Sequence, residues 1–534
     1  MKEPYLLFEN AQIRTLDEEL PEARSMLVFH GTILSLFKEA KPNISAWGNI
    51  QRIDCQNLVM LPAFTDAHVH LMDTGEKLGT IDVSRASCET EAVSILKKEA
   101  GDVPPGEWIQ GSRWGHNLWK PPSLPKKESL DAAFPSNPVY LFSKCGHLVW
   151  LNSLALREAG VKRDTPNPPD GEIERDPETG EATGILKEEA EILIHRAVPD
   201  IPDDRRKELI RKAVAHFNRH GFVNVHASDS ARTFSLLQAM QNDPNLSLNV
   251  AIYLPNSSLE SVIAAHLKSG LGDQRLRFGG IKLFVDGSLG GRTAWMYEPY
   301  NEEPHNTGIP VTTREEIKER ITLANQAGIC TMIHAIGDRA VDMLLDVHTE
   351  INPKIDPSRK SALPNRIEHF QLLTEEMLPR IRNLKVVASM QPVHIFSDWY
   401  AGNRFWGKRS RYAYALRTLL DAGCPLVLGS DSPVEPINPF WAMYATVERK
   451  DLEGKPNGGW YPEERLTPLE ALQAFCSVPP TIVGEGTLKG SLRPGMRADF
   501  ILANYDPITD NPEEWKDAEI FATASQGDFV YKNF

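Results

Sequence analysis

The sequence predicts an α/β protein: a (β/α)8 barrel of the TIM type, with a small discontinuous β-sandwich domain formed by both ends of the chain. First, residues 61–479 alternate short apolar runs with helical patterns, as parallel strands with crossover helices do. Second, residues 1–60 and 480–534 share short β-like runs separated by turns. Third, side chains that can bind metals follow several apolar runs of the middle region. We therefore expect a sandwich domain of 1–60 and 480–534 and a barrel domain of 61–479.

Both ends of the chain carry the pattern of short strands. Chain termini often lie close together in space, so two β-rich ends favour one composite domain over two separate ones. The β-like runs of the two ends are 6–8, 26–29, 33–36, 487–492, 499–502 and 529–531.

The middle region holds the predicted barrel strands, with helical stretches such as 205–220 and 314–327 between them. Residues 162–200 are rich in proline, glycine and acidic residues. They predict a long insertion with a hairpin and a short helix over the barrel mouth, or alternatively a plain surface loop. The candidate strands are 108–111, 139–142, 223–226, 281–285, 330–334, 366–369, 385–389 and 426–429.

The composition and net charge of the chain disfavour some classes of binding partner. The chain has 534 residues, 24% of them charged, and a net charge of −14, which is ordinary for a globular protein apart from the acidic balance. That balance disfavours nucleic acid and anionic membranes, because both require a basic surface. The N-terminus lacks the apolar core of a signal peptide, no apolar run is long enough to span a bilayer, and the six cysteines are scattered. We expect a cytoplasmic protein that acts on a small molecule, with a homodimer as the default assembly.

Five strand-end elements carry side chains that bind metals. His68 and His70 stand two apart after an apolar run, and side chains at i and i+2 of a strand face the same way. Because the C-terminal ends of barrel strands converge on one site, imidazoles and carboxylates there suit a cation such as Zn²⁺. The other four elements, each after an apolar run and before a turn, are Lys282, His334, His369 and Asp431.

Each of these residues taken alone also has a structural explanation. A lone histidine on an apolar strand is commonly a core residue. The alternative for Lys282 is a buried ion pair with Asp286, and the alternative for Asp431 is a turn residue before Ser-Pro. The five elements together favour a metal site.

These motifs resemble those of the amidohydrolase superfamily of metal-dependent hydrolases, and within it the YtcJ-like branch, which includes enzymes similar to N-substituted formamide deformylase. His68-Val69-His70 matches the superfamily's His-x-His, and residues 281–294, Ile-Lys-Leu-Phe-Val-Asp-Gly-Ser-Leu-Gly-Gly-Arg-Thr-Ala, match a long signature of the branch. Cys145 and residues 225–228 depart from the branch's common pattern, which we expect to affect substrate choice more than metal binding. The segments that extend the resemblance over nearly the whole chain are 146–153, 180–184, 334–340, 366–369 and 429–433.

The resemblance implies a binuclear metal centre, with two Zn²⁺ per chain as the expectation. His68 and His70 would bind the first metal, and His334 and His369 the second. Lys282, carboxylated on its amine, would bridge the two metals. Asp431 would ligate the first metal, take a proton from a metal-bridging hydroxide and return it to the departing nitrogen. The candidates for substrate contact, with loop packing and capping as the alternative role, are His147, Trp150, Asn152 and Arg292.

The function that follows is hydrolysis of a carbon–nitrogen bond in a non-peptide amide, such as an N-substituted formamide. One alternative is a mononuclear deaminase on the same barrel, with Lys282 unmodified; the number of metals per chain distinguishes the two. The other is a non-catalytic regulatory or binding protein on a hydrolase fold. The presence of every expected ligand type disfavours that second alternative, although a barrel alone does not decide the chemistry.

Overall fold

The computed structural model describes residues 5–44, 49–144, 148–169, 171–354, 361–384 and 386–534. The chain forms two compact units, one of Met1–Thr74 with Ile210–Phe534 and one of Gly75–Leu209. The barrel and the β-sandwich both belong to the first unit. The second unit is a single segment of chain that leaves after the first barrel strand and returns before the second.

Strands and helices alternate through most of the described chain. None of the described helices is long and apolar enough to cross a membrane. The strands are β1 (Tyr5–Glu9), β2 (Gln12–Arg14), β3 (Glu22–Ala23), β4 (Ser25–Phe29), β5 (Thr32–Phe37), β6 (Ile50–Asp54), β7 (Val59–Pro62), β8 (Phe64–Val69), β9 (Ile81–Asp82), β10 (Ile109–Trp114), β11 (Val139–Ser143), β12 (Leu148–Leu151), β13 (Gly171–Arg175), β14 (Ala182–Glu188), β15 (Phe222–Ser228), β16 (Asn249–Pro255), β17 (Leu276–Phe284), β18 (Cys330–Ala335), β19 (Arg366–His369), β20 (Val387–Met390), β21 (Leu426–Leu428), β22 (Phe500–Ala503), β23 (Ile520–Ser525) and β24 (Asp528–Lys532). The helices are α1 (Leu71–Gly79), α2 (Glu89–Ala100), α3 (Lys127–Ala133), α4 (Ser153–Glu158), α5 (Ile192–Ala197), α6 (Asp203–Arg219), α7 (Ala231–Ala239), α8 (Leu259–Ala264), α9 (Arg314–Gln326), α10 (Asp338–Ile351), α11 (Leu378–Asn383), α12 (Ile395–Phe405), α13 (Leu416–Asp421), α14 (Pro439–Glu448), α15 (Pro468–Phe475) and α16 (Val478–Ile482).

An eight-stranded sheet forms the barrel, in the order β8, β15, β16, β17, β18, β19, β20, β21. Each strand pairs in parallel with the next. The end of the sheet returns to its beginning through a parallel bridge between Val69 and Ser432. Helices α7 to α13 lie in the connections between successive strands. The prediction of a (β/α)8 barrel is confirmed.

The barrel elements follow from simple sequence rules. β8 is buried along its whole length, as a parallel strand covered on both faces is, although it carries the polar residues Thr65, Asp66 and His68. Helix α9 begins at Thr313, whose hydroxyl accepts a hydrogen bond from the amide of Glu316 and so satisfies one free N–H of the first turn. The buried side chains of α9 recur every three to four residues, which is the spacing of a helix with one apolar face, at Ile317, Ile321 and Ala324.

The two ends of the chain form the β-sandwich that the sequence predicts. One sheet has the order β5, β4, β1, β6, and the other has the order β24, β23, β22, β7, β2, β3. The second sheet draws strands from both ends of the chain, so neither end builds the domain alone. The sheets share one core, in which the rings of Phe8 and Phe500 meet edge to face at 4.7 Å. Residues 487–492, predicted as a strand, instead form turns, and Gly490 has a φ of 103° that a regular strand does not accommodate.

The Gly75–Leu209 unit has its own six-stranded sheet, in the order β13, β14, β12, β11, β10, β9. The assignment of 108–111 and 139–142 to the barrel was therefore wrong, because β10 and β11 pair with each other here. These two strands are parallel, as barrel strands are, so the local pattern does not reveal which sheet they join. Residues 162–200 fall within this unit and contain the hairpin β13–β14 and the short helix α5.

Candidate metal centre

The ends of β8 and β21 form one edge of the candidate site. Beyond β21 the chain runs beside the end of β8: the amide of Asp431 donates to the carbonyl of His68 at 2.8 Å, and the amide of His70 donates to the carbonyl of Ser432 at 2.8 Å. Gly429 permits this close approach, since a Cβ there would lie 2.6 Å from the backbone nitrogen of His68. The pairing places Asp431 beside both histidines.

His68, His70 and Asp431 bring three ligand atoms together. Oδ1 of Asp431 lies 3.4 Å from Nε2 of His68 and 3.3 Å from Nε2 of His70. Asp431 has a φ of 59°, a left-handed conformation that is uncommon outside glycine and concentrated at functional sites. Two imidazoles and one carboxylate leave a tetrahedral cation with one open position, as catalytic zinc sites require. The three residues therefore fit a divalent cation.

Glu368 fixes the orientation of His68. One carboxylate oxygen of Glu368 contacts Nδ1 of His68, and both side chains are buried. Burial, together with the Lys282 amine, lowers the pKa of His68 to about 4, so the imidazole is neutral. A proton on Nδ1, donated to Glu368, leaves the lone pair on Nε2, the atom that faces Asp431. Such a carboxylate contact sets the tautomer of a metal-binding histidine and raises its basicity.

Arg366 balances the charge of Glu368. Its Nε lies 2.5 Å from Oε1 of Glu368, and its guanidinium also donates to the carbonyl of Ala67 and the hydroxyl of Ser389, both at 2.6 Å. Burial opposes ionisation, but the charge of Arg366 outweighs it and holds the pKa of Glu368 well below its usual range.

His226 extends this buried network. Burial lowers the pKa of His226, so its neutral ring accepts a hydrogen bond at Nδ1 from Nη1 of Arg366, at 2.9 Å. Residues 225–228 were expected to affect mainly substrate choice. That effect on substrate choice stays a prediction, and the structure connects His226, through Arg366 and Glu368, to His68.

The Lys282 amine lies within the same group of residues. Its Nζ is 3.4 Å from Nε2 of His68, and the residue is 2% exposed. Burial lowers the pKa of Lys282 to about 8. Asp286, the ion-pair partner considered for Lys282, instead accepts backbone N–H groups from Trp295 and Gly337, each at 2.8 Å. Lys282 therefore faces the histidines, and Asp286 links the loop after β17 to the loop after β18.

His334 and His369 stand side by side at the ends of β18 and β19, with ring centroids 4.4 Å apart. Burial and the Lys282 amine lower the pKa of His334 to about 4. Its Nε2 lies 2.9 Å from the carbonyl oxygen of Gly287, so the neutral ring donates there and keeps its lone pair on Nδ1. Over the described ranges, one three-ligand group of histidine, cysteine or carboxylate atoms is complete, and it does not include these two histidines.

The predicted substrate contacts Trp150 and Asn152 lie in the Gly75–Leu209 unit, and both are fully buried. Trp150 packs in an aromatic core and donates its indole N–H to the carbonyl of Lys126 at 3.0 Å. Asn152 begins α4: its Oδ1 accepts the amide of Ala155 at 2.9 Å, and its Nδ2 donates to the carbonyl of Asn137 at 2.8 Å. Packing and capping, the alternative role, explain both positions, and substrate contact stays a prediction.

The other two predicted substrate contacts are Arg292 and His147. Arg292 lies in the loop after β17, where its Nε is 2.9 Å from Oε1 of Glu303 and its side chain is partly exposed. His147 lies outside the described residues, as does Cys145. Substrate contact by Arg292 and His147 also stays a prediction.

His394 is a polar side chain of this site that the sequence analysis missed. It follows β20, and its Nε2 lies 3.5 Å from Oδ2 of Asp431. Its sequence signal was the same as that of the other elements, a ligand-type residue soon after an apolar strand. Glu368 and Arg366 belong to the segment 366–369 that carries the family resemblance, but the sequence did not indicate a role for either residue.

The chain is similar to known proteins over almost its full length. Residues 51–531 match the model of the amidohydrolase family. The chain is 30% identical to YtcJ of Bacillus subtilis (strain 168) over 487 residues, which are 90% of each protein. It is 26% identical to N-substituted formamide deformylase of Arthrobacter pascens, over 99% of this chain and 98% of that protein. The structure of an uncharacterized metal-dependent hydrolase from Pyrococcus furiosus superposes with a TM-score of 0.78 and 29% identity, over 95% of this chain and 100% of that one.

The family match extends over the barrel and the sandwich strands β7 and β22 to β24, and the matched residues include all five strand-end elements. With the donor set of His68, His70 and Asp431, these similarities decide the class of protein. The chain belongs to the amidohydrolase family and is a metal-dependent hydrolase of carbon–nitrogen bonds.

Proposed function

We propose that this protein hydrolyses a small non-peptide amide, such as an N-substituted formamide, at the group formed by His68, His70 and Asp431. The observation that carries the proposal is the Asp431 carboxylate, whose Oδ1 lies within 3.4 Å of Nε2 of both histidines. A carboxylate at that position is within reach of a water molecule bound at the open ligand position. The similarity to the formamide deformylase of Arthrobacter pascens supports the amide class.

Each side chain of the site has a separate role in the proposed hydrolysis. His68 and His70 would hold a divalent cation here, and Glu368 keeps His68 in the tautomer that suits this role. When bound, the cation would supply a hydroxide nucleophile near neutral pH and polarise the substrate carbonyl. Asp431 accepts the proton of the attacking water and returns it to the departing nitrogen, so that the carbon–nitrogen bond breaks and the amine leaves neutral.

In the finer mechanism that we propose, the site would hold two cations, most simply Zn²⁺. Lys282, carboxylated on its amine, would serve both cations, and His334 and His369 would hold the second. An ammonium group 3.4 Å from Nε2 of His68 would repel a cation held there, whereas loss of two protons and addition of carbon dioxide to the nitrogen would give a carbamate anion. His334 supports this assignment, because its neutral ring donates from Nε2 and keeps a lone pair on Nδ1.

A mononuclear site with unmodified Lys282, as in a deaminase, is the second candidate. One observation favours it: within the described segments, only His68, His70 and Asp431 complete a three-ligand group without any modification. The number of cations per chain distinguishes the two candidates.

The substrate class is tested with metal-replete protein and a panel of N-substituted formamides, other acyl-amines, cyclic amides and amino-heterocycles. We expect amine release from one amide class, loss of turnover with a chelator and its return with Zn²⁺. Ammonia release from amino-heterocycles alone would support the deaminase instead. Protein with full metal content that turns over no amide would contradict the assignment.

The role of Lys282 is tested by metal content and turnover together. Lys282→Ala should lower both, and bicarbonate or a short carboxylic acid should partly restore both by filling the bridge. Lys282→Arg should not recover, because a guanidinium stays cationic and does not ligate. Electron density for a carbamate in metal-replete crystals would support the bridge. A bare amine with two cations bound would refute it, and a bare amine with one cation would favour the mononuclear site.

A further inference from the structure

His394 lies at the accessible edge of the site and has no role in the mechanism above. It ends a short turn after β20 and immediately precedes α12. Its side chain is 16% exposed, close to the 12% of His334. Within the described structure its Nε2 is buried and makes no hydrogen bond. A buried donor of this kind is costly, and hydrogen bonds of catalytic groups are often long until the site is filled.

The two oxygens of Asp431 face different partners. Oδ1 faces the ligand nitrogens of His68 and His70, and Oδ2 lies 3.5 Å from Nε2 of His394. The last torsion of an aspartate is broad and nearly two-fold, so the backbone alone does not decide which oxygen meets the cation. A donor on Oδ2 fixes the plane of the carboxylate and reserves Oδ1 for the cation.

The surroundings of His394 favour this use as a donor. Its Nδ1 lies 3.6 Å from Oε1 of Glu435, and Asp398 adds further negative charge one helical turn along α12. Carboxylates accept hydrogen bonds and do not donate them, so the imidazole can bind Oδ2 of Asp431 only through an Nε2–H group. Asp398 is itself held by Nε2 of Gln371 at 2.8 Å and by the hydroxyl of Tyr414 at 2.7 Å. The ring therefore lies between carboxylate acceptors on two sides, at 3.5 Å and 3.6 Å.

We propose that His394 is a positioning residue for Asp431, whose Nε2–H group holds Oδ2 and so keeps Oδ1 turned toward His68 and His70. The proposal rests on the proposed function where it assigns proton transfer to Asp431. The orientation of the carboxylate, however, is measurable without turnover. His394 acts through Asp431 and is not itself a ligand. Its Nε2 faces Oδ2 of Asp431, whereas His68 and His70 face Oδ1.

The test uses the full-length protein loaded with Co²⁺, whose visible absorption reports ligand geometry. His394→Ala should change that spectrum while the amount of bound Co²⁺ per chain stays at the wild-type level. In the Zn²⁺ protein kcat should fall by about 10–100-fold with KM changed less than about threefold, as is typical when a partner of a ligand is removed. His394→Gln, whose side-chain amide can reach Oδ2, should recover most of the spectrum and the turnover. An unchanged spectrum and turnover in His394→Ala would overturn the proposal, and so would a loss of bound Co²⁺, which would make His394 a ligand.

His348→Ala is the matched control. His348 is fully buried on α10, and neither of its ring nitrogens has a hydrogen-bond partner in the described part of the chain. If both variants changed the spectrum and the kinetics equally, lost packing would explain the effect of His394→Ala. The proposal would then be overturned. If the wild-type protein hydrolyses no amide, the proposed function fails, whereas the Co²⁺ spectra still decide for or against His394.

Discussion

The buried side and the open side of the metal site are built differently. On the buried side, Glu368 and Arg366 are fully enclosed, and Arg366 alone has four partners. On the open side, the side chains of His70, His334 and His394 are 25%, 12% and 16% exposed, and Nε2 of His394 makes no hydrogen bond among the described residues. This difference shows that the side chains that make the site rigid are not the side chains that keep it open to solvent. The enclosed groups orient His68, and in the proposed function the accessible groups leave room for substrate and proton.

His68 belongs to both sides. Its Nδ1 contacts Glu368 in the enclosed network, and its Nε2 faces Asp431 and His70 in the accessible one. A change on the buried side should therefore alter metal affinity and stability first. A change on the open side should alter turnover first, with the metal still bound.

Asp431→Asn gives the largest expected effect and tests the open side. The amide keeps an oxygen near the cation but does not carry the proton, so we expect metal content close to wild type and a fall in kcat of about 10²–10⁴-fold. Steady-state kinetics and metal analysis on the same preparation measure both. If the variant kept more than about a tenth of the wild-type kcat, another group would have to carry the proton.

Glu368→Gln tests the buried side. A neutral amide leaves Arg366 without its counter-charge, and its NH₂ group opposes either Arg366 or the Nδ1–H of His68. We expect metal affinity to fall by about 10–100-fold, measured by competition with a chelator. We also expect stability to fall by about 3–5 kcal/mol, measured by denaturant unfolding of the metal-free protein, because a buried charge loses its partner.

Glu464→Gln is the control for that change. Glu464 is equally buried, accepts the amide of Thr418 at 3.0 Å, and pairs with Arg411 at 3.2 Å. Its loss should lower stability and leave metal affinity unchanged. Equal weakening of metal binding in both variants would show that the loss of any buried carboxylate has this effect, and the comparison between the two sides of the site would fail.

The sequence allowed prediction of the fold and of the strand ends that meet, for a physical reason. In a parallel barrel every strand ends at the same rim, so His68, Lys282, His334, His369 and Asp431 converge without any knowledge of side-chain packing. Likewise, the β-rich ends of the chain had few ways to cover their apolar faces except by pairing with each other.

The groups that hold the ligands in place were not predictable from local pattern. The contact between His68 and Glu368 joins residues 300 positions apart, and it depends on which strands face each other across the barrel. His369 adds a second difficulty. Successive residues of a strand point to opposite faces, and the φ of 65° at His369 lets it share a site with its neighbour Glu368. His394 also follows an apolar strand, but it lies beyond that strand in a turn, where periodicity does not show which way a side chain faces.

Asn152→Ala gives the smallest expected effect and asks whether a buried polar side chain outside the network behaves as Glu368 does. Removal of its Oδ1 leaves the amides of Ala155 and Val139 without an acceptor. We expect a stability loss of about 1–3 kcal/mol with unchanged metal affinity and KM. Asn152→Asp keeps an oxygen for both amides but places a second oxygen near the carbonyl of Asn137, so it should lose part of the stability as well. Thermal and denaturant unfolding measure the first effect, and KM on the best amide of the panel measures the second. A raised KM at unchanged stability would instead support the role in substrate contact that the sequence predicted for Asn152.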